Sequence, residues 1–64
     1  MTERKLEIIG LMAEGLKDQE IADRLCIAYK TVKSHVWEAM RFTKAKNSKH
    51  LVAMFCRGEL NNED

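Results

Sequence analysis

Apolar residues recur every three or four positions at the start of the chain, and this spacing predicts an amphipathic helix. Thr2 is a suitable cap for its first turn, and Gly15 supplies a left-handed stop after about Glu14. The stripe expected to face the core consists of Leu6, Ile8, Ile9, Met12, Ala13 and Leu16.

A second helix is predicted after this stop, from Asp18 to about Leu25. Residues 26–28 should then form a tight turn, in which Ile27 fills part of the core. The helix carries enough apolar positions on one face to pack against its neighbours. Those positions are Ile21, Ala22 and Leu25.

Two further helices complete the pattern. The third should run from about Tyr29 to Thr43, and Ala28 in front of it provides no side-chain cap. The fourth should run from about Ser48 to Arg57 and stop at Gly58. The apolar positions of these two helices are Val32, Val36, Ala39, Met40, Leu51, Val52, Met54 and Phe55. The pattern therefore predicts an all-α fold of four helices, with a helix, a tight turn and a helix at its centre.

The length of the chain, 64 residues, leaves room for one domain. A core of this size stabilises the fold only marginally, so association with another chain would supplement it. We assign residues 1–58 to the domain and residues 59–64 to a polar, acidic tail.

Charge is distributed unevenly along the chain. Residues 30–49 carry a net charge of +5, whereas residues 1–29 and 50–64 each carry −2. A positive segment between acidic ends is typical of a surface that faces phosphates. A solvated, lysine-rich helix face is the alternative interpretation.

The chain shows no sign of a metal site or of catalysis. Cys26 and Cys56 lie among apolar neighbours, which predicts two small buried residues in a reduced, cytoplasmic setting. His35 and His50 could join them around zinc, but the spacing lacks the close cysteine pair of zinc fingers. Since a Gly-rich phosphate loop and a nucleophile beside a base are also lacking, the sequence predicts neither a cofactor nor an enzyme.

Several short motifs spread along the chain match one known family. They are Thr2-Glu3-Arg4, Ala13-Glu14-Gly15, Glu20-Ile21-Ala22, Thr31-Val32-Lys33-Ser34-His35 and Leu51-Val52-Ala53. Over residues 1 to about 57 the chain resembles the LuxR/GerE-type helix-turn-helix DNA-binding domain. The resemblance implies a sequence-specific transcription regulator that binds double-stranded DNA as a homodimer. Family members often carry a sensor domain ahead of this part, and the start at Met1 predicts a standalone member that lacks one and is bound to the nucleoid.

The third helix is the element expected to face DNA, because positions 30, 33, 34, 37 and 41 recur at helical steps opposite its apolar stripe. The resemblance implies that Lys33, Ser34 and Trp37 face bases. The residues expected to position the DNA backbone or brace the helix are Lys30, Thr31, His35, Arg41, Lys44 and Lys46. The dimer contacts implied for the fourth helix are Val52, Phe55 and Cys56.

Trp37 allows three interpretations. It could contact a thymine methyl group or a sugar edge, it could fold back onto Tyr29 or Phe42, or it could anchor a protein partner. The last interpretation predicts an interaction module that pairs with or blocks another regulator through Trp37 and the fourth helix. Glu38, which would repel phosphate if it pointed outward, and the net charge of +1 favour that alternative.

Overall fold

Helices account for most of the chain between residues 3 and 59, the part that the computed structural model describes. They are α1 (Glu3–Ala13), α2 (Asp18–Leu25), α3 (Tyr29–Thr43) and α4 (Ser48–Cys56), and this part of the chain contains no strand. The predicted all-α class is confirmed, as are the bounds of α2 and α3. The first and fourth helices each end one residue earlier than predicted. The expected cap at Thr2 and the tail after Glu59 lie outside the described residues.

The turn between α2 and α3 is held by backbone hydrogen bonds. Cys26 adopts the left-handed conformation with φ of 57°, and its N–H donates to the carbonyl groups of Ala22 and Asp23. The N–H of Ile27 also donates to the Ala22 carbonyl, at 3.0 Å, and the Ile27 side chain packs against the core as predicted. Because the chain reverses within three residues, α2 fixes the position at which α3 begins.

All four helices contribute to one apolar core. Its fully buried side chains, each 0% exposed, are Ile8, Ile9, Ile21, Val32, Ala39 and Leu51. Ala22 and Val36 are also buried, and half-buried residues such as Leu25 and Met40 surround them. Val32, Val36 and Ala39 turn one side of α3 inward, so the opposite side is presented to solvent.

The buried stripe of α1 differs from the predicted one. Ala13 is exposed, so its placement in the core was wrong. At about 100° per residue, the buried side is centred between Ile8 and Ile9, and Ala13 falls at its edge. Lys5 takes up part of the inward side instead: its side chain is only 18% exposed, and its Nζ reaches Glu38 on α3 at 3.0 Å.

Gly10 should be a tolerant position on α1. A Cβ atom there would lie 3.4 Å from Cζ of the Phe55 ring, which is ordinary van der Waals contact. We therefore expect Gly10→Ala to raise the free energy of unfolding by about 0.5–1 kcal/mol through helix propensity. Gly15→Ala is the matched control and should destabilise, because Gly15 has a φ of +100°. Thermal denaturation of both variants checks this, and a destabilised Gly10→Ala variant would show that the ring cannot adjust.

Candidate nucleic-acid interface

The side of α3 that the sequence indicated is the exposed side of the helix. Lys30, Lys33, Ser34, Trp37 and Arg41 are all exposed there. Each is held by a helix whose other side is anchored in the core, so the face keeps its shape without further support. It presents cations, a hydroxyl group and an aromatic ring together. This is the chemistry that can meet phosphate oxygens and base edges.

Trp37 stands in the middle of this face and is 63% exposed. An indole this accessible is not part of the core. The Arg41 guanidinium lies over the indole, with Cζ 5.8 Å from the ring centroid. This cation–π contact orients both side chains on the same surface.

Shallow grooves lie on both sides of the indole. One has a volume of about 240 Å³ and is lined by Lys30, Lys33 and Ser34 together with Trp37. The other has a volume of about 400 Å³ and also touches Trp37; its further lining residues are Met40, Arg41, Lys44, Ala45 and Lys46. The basic side chains of α3 and of the loop after it therefore flank Trp37 on both sides.

Within the protein, the Lys33 side chain contacts one residue of α2 and one of α3. Its Nζ donates a hydrogen bond to Oδ2 of Asp18 at 3.1 Å and lies 5.9 Å from the centroid of the Tyr29 ring. The hydrogen bond and the charge of Asp18 raise the pKa of Lys33 above its ordinary value. Lys33 is therefore fully charged at neutral pH. Sequence reasoning missed this partner, which lies on the preceding helix.

Glu38 lies beside the basic face and is bound to α1. The Lys5 ammonium hydrogen-bonds to it and lowers the pKa of the Glu38 carboxyl below its usual value. At pH values above the ordinary pKa of a glutamate, this interaction stabilises the fold. The stabilisation is lost as the pH falls through the lowered pKa of Glu38. The Glu38 carboxylate does point outward, the orientation in which it would repel phosphate. Its negative charge is balanced by the Lys5 ammonium.

Hydrogen bonds at the end of α3 and the start of α4 fix the loop between these two helices. Lys44 has a φ of 63° and ends the helix, and the Thr43 hydroxyl donates to the Ala39 carbonyl at 2.9 Å. Asn47 accepts a hydrogen bond from the N–H of His50 at 2.8 Å and so caps α4. His50 in turn accepts the N–H of Lys46 through Nδ1 at 3.0 Å. These bonds fix the backbone that carries Lys44 and Lys46.

Thr31 and His35 occupy different environments. Thr31 is exposed in the first turn of α3, where it could reach a phosphate. His35 is half-buried, and its Nδ1 is buried with no hydrogen-bond partner among residues 3–59. Nδ1 is therefore not the atom through which His35 would contact a phosphate.

Both cysteines are exposed, so the prediction that they are buried was wrong. Cys26 sits at the left-handed end of α2, and Cys56 is the last residue of α4. At both places the neighbouring apolar residues turn inward and the cysteine does not. Within residues 3–59 no three His, Cys, Asp or Glu side chains are placed to hold a metal ion together. None of the helices found there has the length and apolar character of a membrane span.

The residues predicted for a dimer contact do not form one uniform surface. Phe55 is half-buried and packs against the core, with its ring next to Gly10. Val52 is half-buried and lines an open groove of about 460 Å³ between α4 and the end of α1, where Met12 and Leu16 also lie. Cys56 is accessible at the end of α4.

The sequence of this chain matches the model of a known protein family. The model described as bacterial regulatory proteins, luxR family, matches residues 1–55, which is most of the chain. The chain belongs to the LuxR family. The predicted family is thereby confirmed, and with it a helix-turn-helix domain of DNA-binding transcription regulators, which is not an enzyme family.

Several curated proteins are similar to this LuxR-family chain. The uncharacterized transcriptional regulatory protein YxjL of Bacillus subtilis is 34% identical over 88% of the chain and 26% of its own length. The oxygen regulatory protein NreC of Staphylococcus carnosus is 36% identical over 81% of the chain and 24% of its own length. The DNA-binding transcriptional activator DevR/DosR of Mycobacterium tuberculosis is 44% identical over 56% of the chain and 17% of its own length. The chain thus spans about a quarter or less of these relatives. No solved structure gives a significant match.

Proposed function

We propose that this LuxR-family domain binds double-stranded DNA sequence-specifically as a transcription regulator, with α3 in the major groove. The observation that supports the proposal best is the outward face of α3, the second helix of the helix-turn-helix pair. It carries Lys33, Ser34 and Trp37 at its centre, opposite the buried Val32 and Val36. A helix fits the major groove, where base edges offer acceptors to an ammonium group and methyl groups to an apolar ring.

The surrounding cations are assigned to the DNA backbone. Lys30 and Arg41 lie on either side of the reading residues, and Lys44 and Lys46 extend the positive surface into the loop. Thr31 and the accessible edge of His35 complete this group. Contacts to phosphates fix the register of a recognition helix and supply most of its salt-dependent affinity.

We also propose that two copies pair through α4, with Val52 and Cys56 at the contact and Phe55 supporting it from the core side. A symmetric dimer places two recognition helices on successive turns of DNA, and it raises affinity because the second helix binds as part of the same complex. It would also bury apolar surface, which adds to the stability of so small a domain. The cytoplasmic nucleoid is the location that such a regulator requires.

Selection from a random-sequence duplex library tests the proposal. The selection should enrich one family of related sites. A duplex that contains such a site is called the selected duplex, and a duplex of the same composition in shuffled order is called the scrambled duplex. The logarithm of the binding constant should fall linearly with the logarithm of the salt concentration. The absence of both enrichment and salt dependence would contradict duplex binding.

Lys44→Asn should weaken binding about equally on both duplexes and reduce the salt slope by about 0.9, because one phosphate contact is lost. Asparagine tolerates the left-handed backbone at this position, so the fold should be kept. Arg4→Gln, which removes one positive charge from α1, is the matched control. If the salt slopes of the two variants were equal, Lys44 would not contact a phosphate.

A second candidate function is favoured by the exposed aromatic rings of α3. Trp37 is 63% and Phe42 is 66% exposed, and tryptophan is enriched among residues that dominate protein interfaces. In this alternative the domain pairs with or blocks another regulator through Trp37 and α4. The two candidates differ in the expected effect of Trp37→Ala, which should weaken DNA binding in the first and association with another regulator in the second.

A further inference from the structure

The Lys33 ammonium shares its immediate surroundings with a carboxylate from another helix. The ion pair with Asp18 spans 15 positions of sequence and joins the start of α2 to the second turn of α3 at 3.1 Å. The Asp18 side chain is 25% exposed and that of Lys33 is 55% exposed. Asp18 therefore lies beside Lys33, at the edge of the surface that the proposed function turns toward DNA.

The Asp18 carboxylate lies in the first turn of α2, where a negative charge favours the helix, but it does not cap that helix. The residue that caps α2 is Lys17, and its N–H bonds to the side chain of Glu20 at 2.7 Å. Asp23 on the same helix accepts a hydrogen bond from Gln19. Among the α2 carboxylates, Asp18 is thus the one that meets a cation of α3.

The ion pair changes what Lys33 can attract. Its charge is balanced by Asp18, so the pair as a unit offers little net attraction to a phosphate. The ammonium group has three N–H donors, of which Asp18 takes one. The remaining donors can still bond to neutral acceptors such as O6 and N7 of guanine.

We propose that Asp18 is a specificity-determining residue, which directs Lys33 toward base edges by cancelling its attraction to the DNA backbone. The inference rests on the proposed DNA-binding function and adds to it a residue outside the recognition helix. Asp18 acts through Lys33, so it is a positioning residue and not itself a base contact. Asp18 should lower the affinity for non-specific DNA more than the affinity for the recognised site.

Asp18→Asn tests the inference, with Asp23→Asn as the matched control that removes the same charge from the same helix. Relative to the control, Asp18→Asn should raise affinity for the scrambled duplex by about two- to fivefold, the range expected for an exposed ion pair. The salt slope on that duplex should steepen by about 0.9, since one more cation neutralises phosphate. Affinity for the selected duplex should change less, so the ratio of the two affinities should fall.

A second comparison isolates the role of Lys33. On a Lys33→Met background, Asp18→Asn should act no differently from Asp23→Asn, because the cation that it releases is gone. Equal effects of the two acidic substitutions in the wild-type background would overturn the inference. A persistent extra effect on the Lys33→Met background would overturn it as well. Circular dichroism confirms folding, and Asp18→Ser serves as a substitute if the asparagine variant is unfolded.

These outcomes are separate from a failure of the proposed function. If the wild-type chain enriched no duplex and showed no salt-dependent binding, the proposed function would fail first. If the wild-type chain selected a site and Asp18→Asn left the affinity ratio and the salt slope unchanged, only the role of Asp18 would be refuted.

Discussion

Phe55→Asp should unfold the domain. The ring of Phe55 packs against the core and lies beside Gly10 of α1, so the substitution removes apolar contacts and places a charge among them. Loss of a fully buried phenylalanine side chain costs about 3–5 kcal/mol; the half-buried Phe55 accounts for part of that range and the introduced charge adds to it, in a domain whose core supplies only about 3–5 kcal/mol. Far-UV circular dichroism should show a loss of helix at room temperature.

Cys56→Asp is the matched control for that substitution and tests the α4 contact. It adds the same charge one residue later, at an exposed position, and should leave the helix content unchanged. If α4 pairs two subunits, sedimentation should show this variant as a folded monomer and the wild type as a dimer. A wild type that is itself monomeric would refute the dimer, and a folded Phe55→Asp variant would show that its ring contributes little to the core.

Trp37→Ala should cost little stability and much affinity. The indole is 63% exposed, and surface substitutions usually change the free energy of unfolding by no more than about 0.5 kcal/mol. If Trp37 contacts bases, affinity for the selected duplex should fall by about 1–3 kcal/mol, while binding to the scrambled duplex is nearly unchanged. Titrations of both duplexes at one salt concentration measure this.

Phe42→Ala is the control for Trp37→Ala, since Phe42 is an equally exposed aromatic residue of α3 that is not assigned to bases. It should leave both affinities unchanged. If Trp37→Ala also left DNA binding unchanged but abolished association with another regulator, the interaction-module alternative would replace the DNA-reading role. Several kcal/mol of lost stability would show that the indole supports the fold.

Features set by local chemistry could be predicted from the sequence. The bounds of α2 and α3 follow from apolar spacing together with the residues that stop and restart the helix, and the outward face of α3 follows from the same periodicity. Short local motifs spread along the chain also identified the family. No contact between distant parts of the chain was needed for any of these results.

Features that depend on how helices pack could not be predicted in this way. The pairs Lys33–Asp18 and Lys5–Glu38 join residues far apart in sequence, and periodicity contains no information about them. The exposure of Cys26 and Cys56 has a similar cause. Apolar neighbours suggested burial, but each residue lies at a helix end, where the chain turns away from the core.

Binding of duplex DNA by the outward face of α3 underlies all of the expected effects on DNA affinity. It is tested most directly by NMR spectra of the ¹⁵N-labelled chain during titration with the selected duplex. We expect the largest shifts at the amides of Lys33, Ser34 and Arg41 and at the indole N–H of Trp37, with little change along the buried side of α1. Shifts centred on α1 or α4, with the α3 face unchanged, would contradict it.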